Sequence, residues 1–288
     1  MNIRSLLAVV AVSFAVLACD KANLPDDIVN NDGPGTVNPA NVVAAKPEYR
    51  KMLNLSDGDV TLNSKGLPVK ILGCDIEYLP ATRAGGMTVR IKDYCYPEES
   101  KYDTFDFTIG ANGFANLCKE TQANGEQYYW KFGYNSDARL VHINYDGDVL
   151  TMRYDKSGNL VNIKYKDYAG EKTDVNIFYT DYPNYGWMPY TLQSGSFCLP
   201  GNAGKIFYLT GTDIFWTFYL AGLVGPPVTN VPSYIHTEYF PNNEEYYHHH
   251  LYKQDWGNGE YTIWDKWEYA WDPQWSEYEP QIEDWRNF

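Results

Sequence analysis

Positive charge is scarce in this chain. Its 288 residues carry 23 Lys and Arg against 37 Asp and Glu, a formal net charge of −14. Nucleic-acid binders cluster basic residues to displace counterions, so that class is argued against. Electrostatic docking on anionic lipid is argued against for the same reason. Catalytic and metal motifs are also missing. There is no Cys-x-x-Cys or His/Cys spacing of the kind zinc needs, and no His-Glu-x-x-His. Ser194 and Ser196 lie in a Gly-Ser run without the Gly-x-Ser-x-Gly elbow. No cofactor, metal site or catalytic residue is therefore expected. Helical periodicity is nearly absent. What the chain has in quantity is apolar and aromatic surface: 44% apolar, 16% aromatic, 26 Tyr and 9 Trp. That is enough for a buried core and too much for a disordered chain. Flat rings pack well on pleated, half-buried surfaces, which favours strands.

The front of the chain reads as an address. Arg4 is followed by an apolar run from Leu6 to Ala18 broken by Ser13, and then by Cys19. The run falls short of the roughly 20 apolar residues a membrane span needs. A basic start, a short apolar stretch and a small residue before the cut describe a secretory signal. The cysteine directly after Ala18 makes it resemble a bacterial lipoprotein signal over residues 1–18, cut before Cys19 and lipidated on its sulfur. Leu17 is bulkier than the usual residue there, and an ordinary signal cut near Ala18 is the alternative. Asp20, Asp26 and Asp27 follow. Acids at that place resemble an inner-membrane retention mark in enteric bacteria and a surface-export signal in Bacteroides-type anaerobes. The second is favoured, which gives an outer-membrane lipoprotein exposed at the cell surface. Residues 19–45, rich in Asn, Asp, Gly and Pro without a period, are expected to be a flexible tether. Cys74, Cys95, Cys118 and Cys198 remain, an even number that leaves bridged and free states both open.

Residues 46–271 are expected to be one domain built as a train of hairpins. Tyr134 to Tyr145 and Tyr154 to Tyr165 align without a gap at a period of 20. Weaker copies run from Leu62 to Ile71 and from Ala111 to Phe114. In each, a strand ends, a polar turn supplies a positive-φ position, and an alternating strand follows. Leu160, Asn162 and Lys164 are expected on one side, with Val161, Ile163 and Tyr165 on the other. No hairpin can bury its own face alone, so neighbours must pair into one twisted antiparallel sheet. Met87 to Tyr94 and Asp174 to Tyr179 are further strands, and Asp146-Gly147-Asp148 marks a tight turn. The fold class is mainly all-β: a curved antiparallel sheet of successive hairpins, open or half barrel. One short helix is expected over 213–222, capped by Asp213 and stopped by Gly222, buried in the concave face. Residues 272–288 form an acidic, Trp-rich tail, lying across the domain or loose.

The units at 138–145 and 158–165 resemble a family of uncharacterised lipoproteins from Bacteroides-type gut anaerobes, domain-of-unknown-function family 4595. The stretch Tyr219-Leu220-Ala221-Gly222-Leu223-Val224-Gly225, followed by Asn230-Val231-Pro232-Ser233, is similar to a "Leu-Gly-Leu-Leu-Gly … Asn-Leu-Pro" segment of that family. The likeness covers roughly residues 60–271 and departs in the Trp-rich tail and in Pro226-Pro227. It implies a half-barrel architecture and an envelope address, and no activity.

Among candidate sites, His248 and His250 share a strand face and could hold a metal with Glu244 or Glu245. Nothing in the sequence supports that over an exposed polar strand. The acid pairs Asp146/Asp148 and Glu244/Glu245 read as turn residues facing water rather than as facing carboxyls of a glycosidase. The strongest ligand-binding candidates are Trp256, Trp264, Trp267 and Trp271. Trp264 is opposite in phase to Trp267 and Trp271, so one face can be exposed; coverage of both faces is the alternative. The leading expectation is a non-catalytic binding or structural role, with a polysaccharide as ligand and the membrane reached through the lipid anchor. The alternative is a carrier for a lipid or hydrophobic segment, with a cavity near Phe215, Phe218 and Leu220. A carbohydrate-active hydrolase ranks third.

Overall fold

Among the described residues, the alternation of apolar and polar residues is realised as sixteen strands in one antiparallel sheet. The computed structural model describes residues 28–31, 33–47, 58–80, 87–96, 101–170, 172–183, 212–226, 228–240, 246–255, 260–269, 272–277 and 281–284. The first strands are β1 (Val60–Leu62), β2 (Pro68–Ile71), β3 (Cys74–Leu79), β4 (Thr88–Tyr96), β5 (Lys101–Ile109) and β6 (Ala115–Thr121). There follow β7 (Gln127–Tyr134), β8 (Leu140–Tyr145), β9 (Asp148–Tyr154), β10 (Leu160–Lys166) and β11 (Lys172–Pro183). A helix, α1 (Thr212–Leu220), precedes β12 (Asn230–Phe240), β13 (Tyr246–Asp255), β14 (Glu260–Tyr269), β15 (Asp272–Glu277) and β16 (Gln281–Asp284). Strands β1 to β15 pair in chain order, and the sheet does not close on itself. Both β15 and β16 lie along β14, at its Lys266–Tyr269 and Glu260–Ile263 stretches. The acidic tail thus contributes strands through residue 284.

The hairpins share one turn. Asn135 N–H donates to the carbonyl of Arg139, and Ala138 N–H donates back to Asn135, both at 3.0 Å. The same pair of bonds closes 63–67, 110–114, 122–126 and 155–159. The fourth residue of each turn has positive φ: Gly66, Gly113, Gly125, Ala138 and Gly158. This is the three-residue hairpin loop that ends in a left-handed bulge position. The copy at 122–126 joins β6 to β7, at the sheet end opposite the others. Asp146 and Gly147, both at positive φ, make the two-residue turn expected between β8 and β9.

The bulges correct one expectation. The register shifts between Leu160 and Asn162. Leu160 therefore joins Ile163 and Tyr165 in the core, and Val161 is left partly exposed.

Over β4 to β11 one face of the sheet is apolar. Val89, Ile91, Phe105, Phe107, Trp130, Ile143, Leu150, Ile163 and Val175 are fully buried there. The other face carries Arg90, Lys92, Asp106, Lys164 and Asp174. This apolar-inside, polar-outside order is the reverse of a transmembrane barrel, whose lipid-facing band is apolar. Among the described residues no helix is long and apolar enough to cross a membrane.

Helix α1 covers the apolar face. The Phe218 ring meets Phe107 edge-on at 4.7 Å between centroids, Phe105 at 5.3 Å and Trp130 at 6.2 Å. The helix starts at Thr212, so Asp213 lies inside its first turn rather than at the cap. It stops as expected at Gly222, whose φ is +73°. Gly222 N–H donates to Tyr219 O at 2.8 Å and Leu223 N–H to Phe218 O at 3.0 Å, the paired bonds of a Schellman ending.

The expected tether over 19–45 is corrected for its described part. Val29 pairs with Tyr134, with Val29 N–H donating to the Tyr134 carbonyl at 2.8 Å. Gly35 donates to Ile109 O and accepts from Met87 N. Val37, Val42, Val43 and Ala44 are buried. Two single 3-10 turns, Pro39–Asn41 and Val43–Ala45, carry the last of these into the core. These buried residues and backbone hydrogen bonds make the described part a packed strap rather than a linker.

Candidate functional site

Of the four nominated tryptophans, Trp256 and Trp271 lie outside the described residues. Trp264 and Trp267 fall on β14, in register with Lys253 and His249 of β13. Cys19, Ser194, Ser196, Glu244 and Glu245 also lie outside the described residues. His248, His249 and His250 are consecutive positions of β13.

The acid pair in the β8–β9 turn has a structural occupation. Asp148 is buried and accepts the Tyr165 hydroxyl at 3.0 Å and the Tyr168 N–H at 2.8 Å. Asp146 sits at φ +47° in the turn itself. A carboxylate tied to two donors in its own fold is not poised opposite a second one across a cleft. Glu120 is likewise held inside: it accepts Trp130 Nε1 at 2.9 Å and Gln122 Nε2 at 3.2 Å. Burial pushes its carboxyl above the usual range, and those hydrogen bonds oppose the shift. Cys74 and Cys118 are buried thiols outside any disulfide, and burial pushes the Cys118 thiol well up. Such thiols behave as small apolar groups rather than nucleophiles.

The described residues do carry an exposed aromatic pair on the polar face. Tyr94 near the end of β4 and Tyr102 near the start of β5 are 36% and 39% exposed. Their ring centroids are 5.4 Å apart, with planes tilted by 55°. The Tyr94 hydroxyl donates to Asp75 Oδ2 at 3.0 Å, which holds the phenol and raises its pKa. Lys92 Nζ lies 5.6 Å from the Tyr102 ring centroid and 2.7 Å from Glu77 Oε1. Arg90 makes a two-point pair with Asp106 at 2.6 and 3.0 Å, one step further along the same face. Two rings thus present apolar area beside two carboxylates and an ammonium. The sequence marked β4 as a clean alternating strand ending at Tyr94. It gave no sign that the partner strand would place a second tyrosine next to it.

No known family profile and no curated protein matches the chain. Among solved structures it is similar to a porin-like protein from Bacteroides uniformis ATCC 8492. Identity is 12%, over 78% of this chain and 86% of that one, with a TM-score of 0.44. It is also similar to a porin-like protein from Bacteroides vulgatus ATCC 8482. There identity is 13%, over 78% of this chain and 91% of that one, with a TM-score of 0.42.

Proposed function

We propose that this chain is an outer-membrane lipoprotein, held by lipid on Cys19, that binds glycan at the cell surface without catalysing a reaction. The observation that carries the binding role is the Tyr94–Tyr102 pair, two exposed rings in contact on the face that also carries the ion pairs. Scattered single apolar residues on a surface need no explanation, but adjacent rings beside polar partners do. The Trp positions of β14 supply a second aromatic stretch in the same sheet. The signal-like start, the acids behind Cys19 and the likeness to family 4595 support the address. The roles found for Asp148 and Glu120 favour a non-catalytic reading. The carrier reading loses ground for a different reason: Phe215, Phe218 and Leu220 are buried against the sheet by protein, in the space a carried chain would need.

The test is calorimetric titration of the mature chain with a panel of bacterial, plant and mucin polysaccharides. It is repeated on the double variant Tyr94→Ala/Tyr102→Ala. Saturable heat with at least one polysaccharide is expected, with affinity in the variant lower by about tenfold, or about 1.4 kcal/mol. Its unfolding midpoint should barely move. Titrations without saturable heat, or a variant that binds like the parent, contradict the proposal.

A further inference from the structure

Strand pairing brings together histidines that the sequence keeps apart. His236 of β12 stands directly opposite His248 of β13, and His248 stands opposite Glu268 of β14. On the other side His236 stands opposite Asn176 of β11, which stands opposite Asn162 of β10. Five strands thus contribute one polar row: Asn, Asn, His, His, Glu. The row is already a working polar line where it begins, since Asn162 Nδ2 donates to Asn176 Oδ1 at 2.9 Å. His250 lies two residues along β13 from His248, in register with Tyr234 and Lys266.

The backbone geometry of an antiparallel sheet does the rest. Directly opposite residues share a face, with Cβ atoms about 4.5–5.5 Å apart, and diagonal neighbours lie about 7–8 Å apart. Residues two apart on one strand share that face too, at roughly 6.5–7 Å. His236, His248 and His250 therefore occupy three mutually neighbouring positions, two on one strand and the third across the pair. The sequence showed only the two on β13. His249 has the opposite parity and pairs instead with Ile235 and Trp267.

We propose that His236, His248 and His250 form a binding site for a divalent transition metal, with zinc as the reference ion. Three imidazoles suit zinc, copper and nickel, and three protein ligands leave the fourth zinc position open to water or an exogenous ligand. Glu268 at the next strand adds a carboxylate next to His248 in the row. Lys266, opposite His250, stands in turn opposite Glu277 of β15. The site is independent of the glycan-binding role and stands or falls without it.

The test is calorimetric titration of the tag-free mature chain with zinc chloride, followed by Co2+ loading read by visible absorption. Expected are one saturable zinc site per chain at micromolar affinity or tighter, and a cobalt spectrum of tetrahedral type. His236→Ala should weaken zinc by more than about tenfold, the scale on which metal sites respond to lost support, although it lies outside the histidine run. His249→Ala should leave affinity unchanged. His236→Gln, closer in size, guards against a variant that fails to fold, with circular dichroism as the check. Three results would each overturn the site: titration without saturation, His236 variants that bind like the parent, or His249→Ala losing as much as His248→Ala.

Discussion

A methyl group on residue 222 would sit 2.6 Å from the carbonyl oxygen of Asn41 and 2.8 Å from its carbon. Gly222 ends helix α1 at φ +73°. Gly222→Ala therefore carries two costs. The left-handed conformation costs an L-residue about 1–2 kcal/mol, of which about 0.4–1 is returned by a less free unfolded chain. The second cost is steric and falls on backbone. Asn41 ends one 3-10 turn, and Val42, Val43 and Ala44 behind it are buried, so the strap can yield only by lifting those residues from the core. Overpacking of this kind costs about 1–3 kcal/mol. The expected total is about 1–4.5 kcal/mol. Gly66 gives the control, with φ +76° and open space where a Cβ would go. Gly66→Ala should cost only the conformational part, about 1 kcal/mol. Urea unfolding of both variants, followed by Trp fluorescence, separates the contributions. Equal midpoints for the two variants would refute the claim that the strap is packed against the helix end.

Asn159 should be a second sensitive point. Its Oδ1 accepts the N–H groups of Thr229 and Asn230 at 3.1 and 2.8 Å, tying the β9–β10 turn to the start of β12. Asn159→Ala strands both donors and should cost about 1–3 kcal/mol in chemical unfolding; a loss below about 0.5 kcal/mol would mean that water replaces the side chain. Glu120 should set a pH dependence. Its folded pKa is raised by burial, so its contribution is fully present below the unfolded carboxyl range and is lost as pH rises through the folded value. Glu120→Gln keeps an acceptor for Trp130 without the charge. The stability of the variant relative to the parent should therefore grow from acid toward neutral pH, and a gap that stays flat across that range would show that Glu120 does not titrate on folding. For the anchor, Cys19→Ala should move the protein from the detergent phase to the aqueous phase in Triton X-114 partitioning of cell extracts; unchanged partitioning would exclude lipid on that residue.

The hairpin train was legible because its turns are local chemistry. Asn135 and Asp155 each cap their own turn through a side-chain oxygen, bonding Arg139 N and Asn159 N, and that leaves a readable spacing. The burial of α1 was legible because its residues are apolar all round. The strap at 28–45 was not, because irregular backbone and 3-10 turns bury Val37 and Val42 without any period. Nor was the side of Leu160, since a one-residue bulge exchanges faces and leaves no mark in composition. The aromatic pair and the histidine row share a single cause. Tyr94 meets Tyr102, and His236 meets His248, only through strand register, which the pairing of separate segments decides. The tryptophans were conspicuous in the sequence for their number, and number alone does not give a site.

To bind glycan at the cell surface as proposed, the domain must stand outside the cell. Protease treatment of intact cells, followed by blotting for this chain, tests it most directly. Cleavage is expected while a periplasmic control protein stays whole. Protection until the envelope is opened would contradict it and would turn the domain toward the periplasm.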